Sequence, residues 1–119
     1  MGRPVMQWQI LAKDPERLST FYAKLFAWKI DANNPLGYRR ADTGSKSGIG
    51  GGFWPAGPEG HALVQLFVEV DDVKQYAARV AELGGSVVIP PQALPAGDEL
   101  AIVRDLEGLS FGLMKTAKR

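Results

Sequence analysis

The sequence predicts an α+β chain of two βαβββ modules, with about eight strands in a curled, mostly antiparallel sheet and the helices outside. Three observations predict it. Read against itself at an offset of 58 positions, the chain repeats one order of elements, strand–helix–three strands, without a gap. Gly48, Gly50, Gly51, Gly52, Pro55, Gly57, Pro58 and Gly60 gather in the middle of the chain and mark a hinge between the halves. The 119 residues are 45% hydrophobic and 23% charged, an ordinary globular composition. At this size about two thirds of the chain's surface can be buried. One domain, 1–119, is expected, with modules at about 3–57 and 61–115.

Each module opens with a strand. Val5 to Leu11 alternates, with Trp8 and Ile10 on one side and Gln7 and Gln9 on the other. His61 to Val70 alternates likewise, with Leu66 and Val68 against Gln65, Phe67 and Glu69. A helix follows each strand. Asp14 is an N-cap with Pro15 at the first helical position, and Leu18, Phe21, Tyr22, Leu25 and Phe26 form an apolar stripe. Asp71 or Asp72 caps the second helix, which carries Val73, Tyr76, Ala77, Val80 and Leu83 and stops at Gly84-Gly85. Short strands complete each module. The first has Trp28–Asp31, Leu36–Asp42 and Ser47–Trp54; the second has Ser86–Ile89, broken by Pro90-Pro91, then Glu99–Arg104 and Leu109–Met114. Trp8, Phe21, Phe26, Trp28 and Phe111 are read as core. Removing the Leu25 side chain is expected to cost about 2–5 kcal/mol.

Several function classes fall away. There is no cysteine, so disulfides, thiolate nucleophiles and iron–sulfur clusters are excluded. A formal net charge of +1 supplies no field for nucleic acid or an anionic membrane. No apolar run approaches the roughly 18 residues of a membrane span. Met1 to Val5 lacks the apolar core of a secretion signal, so a cytoplasmic location is expected. The Gly50-Gly51-Gly52 run lacks the lysine and following helix of a phosphate-binding loop; it is read as a place where the strand bends tightly. Lys115 to Arg119 is read as a solvated basic tail.

The order of these segments resembles the glyoxalase/bleomycin-resistance/extradiol-dioxygenase family, the vicinal oxygen chelate superfamily. The resemblance runs from Val5 to Met114. It is carried by Trp8-Gln9-Ile10, Asp14-Pro15-Glu16-Arg17-Leu18, Phe21-Tyr22, Leu25-Phe26-Ala27-Trp28, Gly48-Ile49-Gly50-Gly51-Gly52, Val68-Glu69-Val70-Asp71-Asp72-Val73, Leu83-Gly84-Gly85 and Asp105-Leu106-Glu107-Gly108. It implies that two modules form a cup around a ligand or metal. In metal-using relatives the ligands come from the first and last strands of each module. Those positions correspond here to Gln7, Gln65, Gly112 and Gly51 or Gly52. Two neutral amides and glycines make no tight divalent site, so no metal ligand and no cofactor is expected, with a weakly held divalent ion left open.

The candidate ligand-binding residues are Gln7, Gln9, Gln65, Phe67, Tyr38, Arg40 and Trp54. The glutamines are taken to face the cup because Trp8, Ile10, Leu66 and Val68 must face the helices. Alternation sends one of Arg39 and Arg40 inward, where it would favour a carboxylate or phosphate. Trp54 and Phe67 offer an apolar wall, or else serve as core or dimer interface. His61 and Glu69 are the weak catalytic candidates; His61 reads first as a surface residue and Glu69 as a solvated rim residue. The expected function is a small-molecule-binding protein of the glyoxalase/bleomycin-resistance type with a degenerate metal site. The alternative is a lyase-, isomerase- or dioxygenase-like enzyme with an altered metal site; a weaker third is an accessory subunit. A homodimer is expected, on the argument that Phe53 and Trp54 would otherwise leave an apolar patch uncovered.

Overall fold

A computed structural model describes residues 2–56 and 60–117. Gly57, Pro58 and Glu59 of the glycine-rich hinge, with the end of the basic tail, lie outside the described residues. The element order is β1 (Val5–Ala12), α1 (Pro15–Phe26), β2 (Lys29–Asp31), β3 (Arg39–Asp42) and β4 (Gly51–Pro55), then β5 (Leu63–Glu69), α2 (Val73–Glu82), β6 (Ser86–Ala93), β7 (Glu99–Arg104) and β8 (Ser110–Lys115). Strand–helix–three strands occurs twice, and the fold is α+β.

The chain forms two compact units. The first runs from Gln7 to Gln65; the second combines the N-terminal residues up to Met6 with everything from Leu66 onward. The N-terminal arm joins the second unit through specific bonds. Arg3 pairs with Asp71 at 2.9 Å and donates from Nε to the Tyr76 hydroxyl, and the Glu69 amide donates to the Pro4 carbonyl.

The first unit orders its strands β2-β3-β4-β1, with β1 and β4 parallel and the other two pairs antiparallel. The second repeats that order as β6-β7-β8-β5, again with the parallel pair between the module's first and last strands. Both helices start where capping predicts. The Asp14 carboxylate accepts from the Arg17 amide, and Asp72, the second of the two candidate caps, accepts from the Gln75 amide.

In the first unit the core is aromatic. Phe53 is fully buried; it meets Trp8 edge-on at 5.9 Å and Tyr22 at 5.7 Å, and Tyr22 stacks on Trp28. In the second unit Val70, Val73, Ala77, Ala101, Val103 and Leu113 cluster on the α2 side. Phe67, Ile102 and Met114 form another cluster on the opposite face, with Met6 and Leu100 against it.

Five expectations need correction. Phe53 is not at an exposed rim: β4 alternates so that Phe53 points to α1 while Trp54 points away. Phe21, Leu25 and Phe26 are not core; they are 59%, 60% and 55% exposed. The buried edge of α1 is rotated toward Ser19, whose small side chain lets β3 approach and whose hydroxyl accepts from Arg39 Nε at 2.8 Å. Pro90-Pro91 does not end β6. That strand pairs on one side only, with β7, and its register shifts at two places, so the missing N–H groups leave few ladder bonds unmade. β5 begins at Leu63, leaving exposed His61 ahead of the strand. The strands expected over Leu36–Asp42 and Ser47–Trp54 begin later, at Arg39 and Gly51. Asn34 accounts for the first: its side chain bonds the backbone of Leu36 and Tyr38 and holds a loop there.

Candidate functional site

The candidate site is the face of the first unit that points away from α1. Its composition follows from register. Gln9 on β1 pairs with Gly52 on β4, Gly52 with Arg40 on β3, and Arg40 with Asp31 on β2. Residues paired across a sheet share a face, so Gln9, Gly52, Arg40 and Asp31 form one row across all four strands. Arg39, one residue away, points to α1 and Ser19 instead. Beside this row, Tyr38 and Trp54 lie with ring centroids 4.9 Å apart. Gln7 shares the face with Gln9, two residues earlier on β1.

Gly52 gives the row its shape. A methyl group at this position would collide with the phenol end of Tyr38, at Cε1, Cζ and the hydroxyl oxygen, so the Tyr38 side chain occupies space that only a glycine leaves free. Asn34 holds Tyr38 from the loop side, accepting from its amide and donating to its carbonyl. Burial pushes the Tyr38 phenol above its ordinary pKa, with the Arg40 charge pulling the other way.

The polar groups of the row are under-used. Arg40 and Asp31 approach only to 4.0 Å and are both more than half exposed, so the pair is loose. Gln9 is 8% exposed, yet its amide forms no hydrogen bond among the described residues. No described side-chain nitrogen or oxygen is both sealed from solvent and unpartnered. The Gln9 amide is therefore not fully sealed from solvent.

The other candidates lie on β5 or ahead of it, not on the four strands of this row. Gln65 is buried on β5 and has a bonding partner. Phe67 belongs to the second unit, 1% exposed in the cluster with Ile102 and Met114. Glu69 is exposed at the end of β5 and His61 is exposed before its start. Sequence reasoning named Gly52 only as an alternative to Gly51 at a ligand position implied by the resemblance, and missed Asn34 and Asp31; the row itself follows from the β2–β3 and β3–β4 registers.

The donor set does not fit a resident metal. Of the four positions that correspond to metal ligands, Gly112 lies under the Phe67 ring and Gly52 under the Tyr38 ring. The other two are amides. Among the described residues, no three His, Asp or Glu side chains converge. Nor is any described helix long and apolar enough to cross a membrane.

The glyoxalase-like domain profile matches residues 7–114. Among curated proteins, nothing matches the chain. Solved structures share the fold at low identity. A hypothetical protein from Bacillus halodurans C-125 aligns with TM-score 0.71 and 12% identity over 100% of this chain and 98% of its own. A variant methylmalonyl-CoA epimerase of Streptomyces coelicolor, in complex with 2-nitronate-propionyl-CoA, aligns with TM-score 0.62 and 17% identity over 96% and 97%. A Legionella pneumophila structure described as an NAD-dependent benzaldehyde dehydrogenase aligns with TM-score 0.68 and 17% identity over 93% and 98%. With the repeated strand–helix–three-strand order and a profile match across nearly its whole length, the chain belongs to the glyoxalase-like domain family, within the vicinal oxygen chelate superfamily.

Proposed function

We propose that this protein binds a small planar molecule carrying an anionic group, an aromatic carboxylate in the simplest case, on the helix-free face of its first unit. The observation that carries this reading is the buried Gln9 amide without a bonding partner, in a row with Arg40 and beside the Tyr38–Trp54 pair. An aromatic ring packs against Trp54 and Tyr38, gaining apolar contact. Its carboxylate displaces the loose Asp31 partner and takes two N–H donors from Arg40. Gln9 supplies a neutral donor that costs little to desolvate, because it is already mostly buried. The fold relative that holds a CoA-ester analogue supports an organic anion as the ligand class.

Binding proceeds without a tightly held metal, and the chain acts as a homodimer in the cytoplasm. Binding without chemistry is favoured over a lyase-, isomerase- or dioxygenase-like reaction. The two candidates for proton transfer, His61 and Glu69, are exposed, and no described contact ties either to the row.

Calorimetry with benzoate and larger aromatic carboxylates tests the reading. Arg40→Gln is expected to weaken binding on the order of tenfold or more, since a charge-assisted hydrogen bond contributes about 1.5–3 kcal/mol. Gln9→Leu is expected to weaken it about threefold to tenfold. Equal affinity in both variants and the parent refutes the site.

A further inference from the structure

Arg40 and Asp31 set a positive and a negative group side by side on the candidate face, and neither is committed to the other. They are cross-strand partners on β3 and β2, inside the first unit. Arg40 Nη2 and Asp31 Oδ2 stand 4.0 Å apart, and the two side chains are 56% and 55% exposed. That separation is longer than a hydrogen bond, so each group keeps capacity for an incoming partner. Asp31 is nonetheless held in place. Its Oδ1 accepts from the Asn33 amide at 2.9 Å, which leaves Oδ2 as the oxygen turned toward Arg40.

The aromatic pair occupies the next row of the same face. Tyr38 precedes Arg40 by two residues, and Trp54 follows Gly52, the β4 partner of Arg40, by two. At this strand spacing the ring row and the charge row lie about 6–7 Å apart. One small molecule with a ring at one end and its charges at the other spans both rows. Asp42 shares the face as well. It pairs in register with Lys29, one row farther from Tyr38, and its Oδ1 accepts from the Gly44 amide. Asp31 is therefore the carboxylate of the row beside the rings.

A bare carboxylate on Arg40 meets a cost, because it comes to rest beside Asp31 and the like charges repel. An ammonium next to that carboxylate removes the cost. The carboxylate then takes donors from Arg40, the ammonium donates to Asp31 Oδ2, and the four charges alternate in sign. We infer that the ligand of this face is an aromatic α-amino acid, with its ring beside Tyr38 and Trp54 and its zwitterionic end between Arg40 and Asp31. The inference rests on the aromatic-anion reading above and assigns Asp31 as the residue that selects the ammonium.

Calorimetry on the full chain with phenylalanine and hydrocinnamate tests it. The two compounds share the ring, the chain length and the carboxylate; only phenylalanine carries the ammonium. The parent is expected to bind phenylalanine about threefold to tenfold more tightly, with one exposed attraction gained and one repulsion relieved. Asp31→Asn removes the charge and keeps an oxygen for the Asn33 amide, and circular dichroism checks its fold. In this variant the preference for phenylalanine is expected to disappear. A loosened loop would weaken both compounds alike and leave their ratio unchanged. A parent that binds hydrocinnamate or benzoate as tightly as phenylalanine, or a preference that survives Asp31→Asn, overturns the zwitterion and leaves the aromatic-anion reading standing. Binding of none of the three compounds overturns both.

Discussion

Gly52 and Gln9 set what the candidate site can hold, and their effect is clearest beside their counterparts in the second module. The offset of 58 positions lays Gln9 over Phe67. Gln9 pairs with Gly52, and Phe67 pairs with Gly112. In the second unit Phe67's own ring fills the space above Gly112; in the first unit Gln9 leaves that space to Tyr38. One substitution pattern thus gives an apolar cluster in one module and a polar row with an aromatic neighbour in the other. Gly52→Ala is expected to cost about 1–3 kcal/mol, because the methyl displaces the Tyr38 ring. Gly50→Ala is expected to be near neutral, since its methyl meets nothing closer than the Ala41 carbonyl oxygen at 3.9 Å. Urea unfolding of both variants checks the contrast. Period-two alternation put Gln7 and Gln9 on the face opposite Trp8 and Ile10, but it left Arg39 and Arg40 as alternatives, which the β3–β4 register and the Arg39–Ser19 bond separate. It could not show that Tyr38 lies over Gly52, because that contact depends on how Asn34 folds the preceding loop.

The helices show where pattern reading succeeds and where it stops. Capping depends on chemistry within four residues, so the start of α1 after Asp14 and the end of α2 at Gly84 were legible. Which flank of an amphipathic helix is buried depends on what packs against it. On α1 the apolar stripe is wider than the contact, and Ser19 takes the central buried place. Leu25→Ala is therefore expected to change stability by about 0.5 kcal/mol or less. Phe53→Ala, which empties the fully buried centre of the aromatic cluster, is expected to cost about 3–5 kcal/mol. Denaturant midpoints that rank Leu25→Ala as the more damaging change would contradict this placement of α1. The strand boundaries were less legible because edge pairing is forgiving. β6 runs through two prolines with only one neighbouring strand to satisfy, which no local propensity rule anticipates.

At the scale of the molecule, duplication makes the fold readable and divergence between the copies makes the function specific. Both units order their strands alike, which is why comparing the two halves was enough to predict the architecture. Their helix-free faces differ. The second carries Phe67, Ile102 and Met114, whereas the first carries Gln9, Arg40 and Asp31 beside Tyr38 and Trp54. The central claim is that the polar face of the first unit receives an aromatic anion without a metal. Nitrogen-15 NMR of the protein titrated with benzoate, in the presence of a chelator, tests it most directly. The account predicts saturable shifts at the side-chain amide of Gln9, the guanidinium of Arg40, the indole N–H of Trp54 and the backbone amides of Gly52 and Tyr38. Shifts that appear only after a divalent metal is restored, or that fall on the second unit while these five groups stay still, would contradict it.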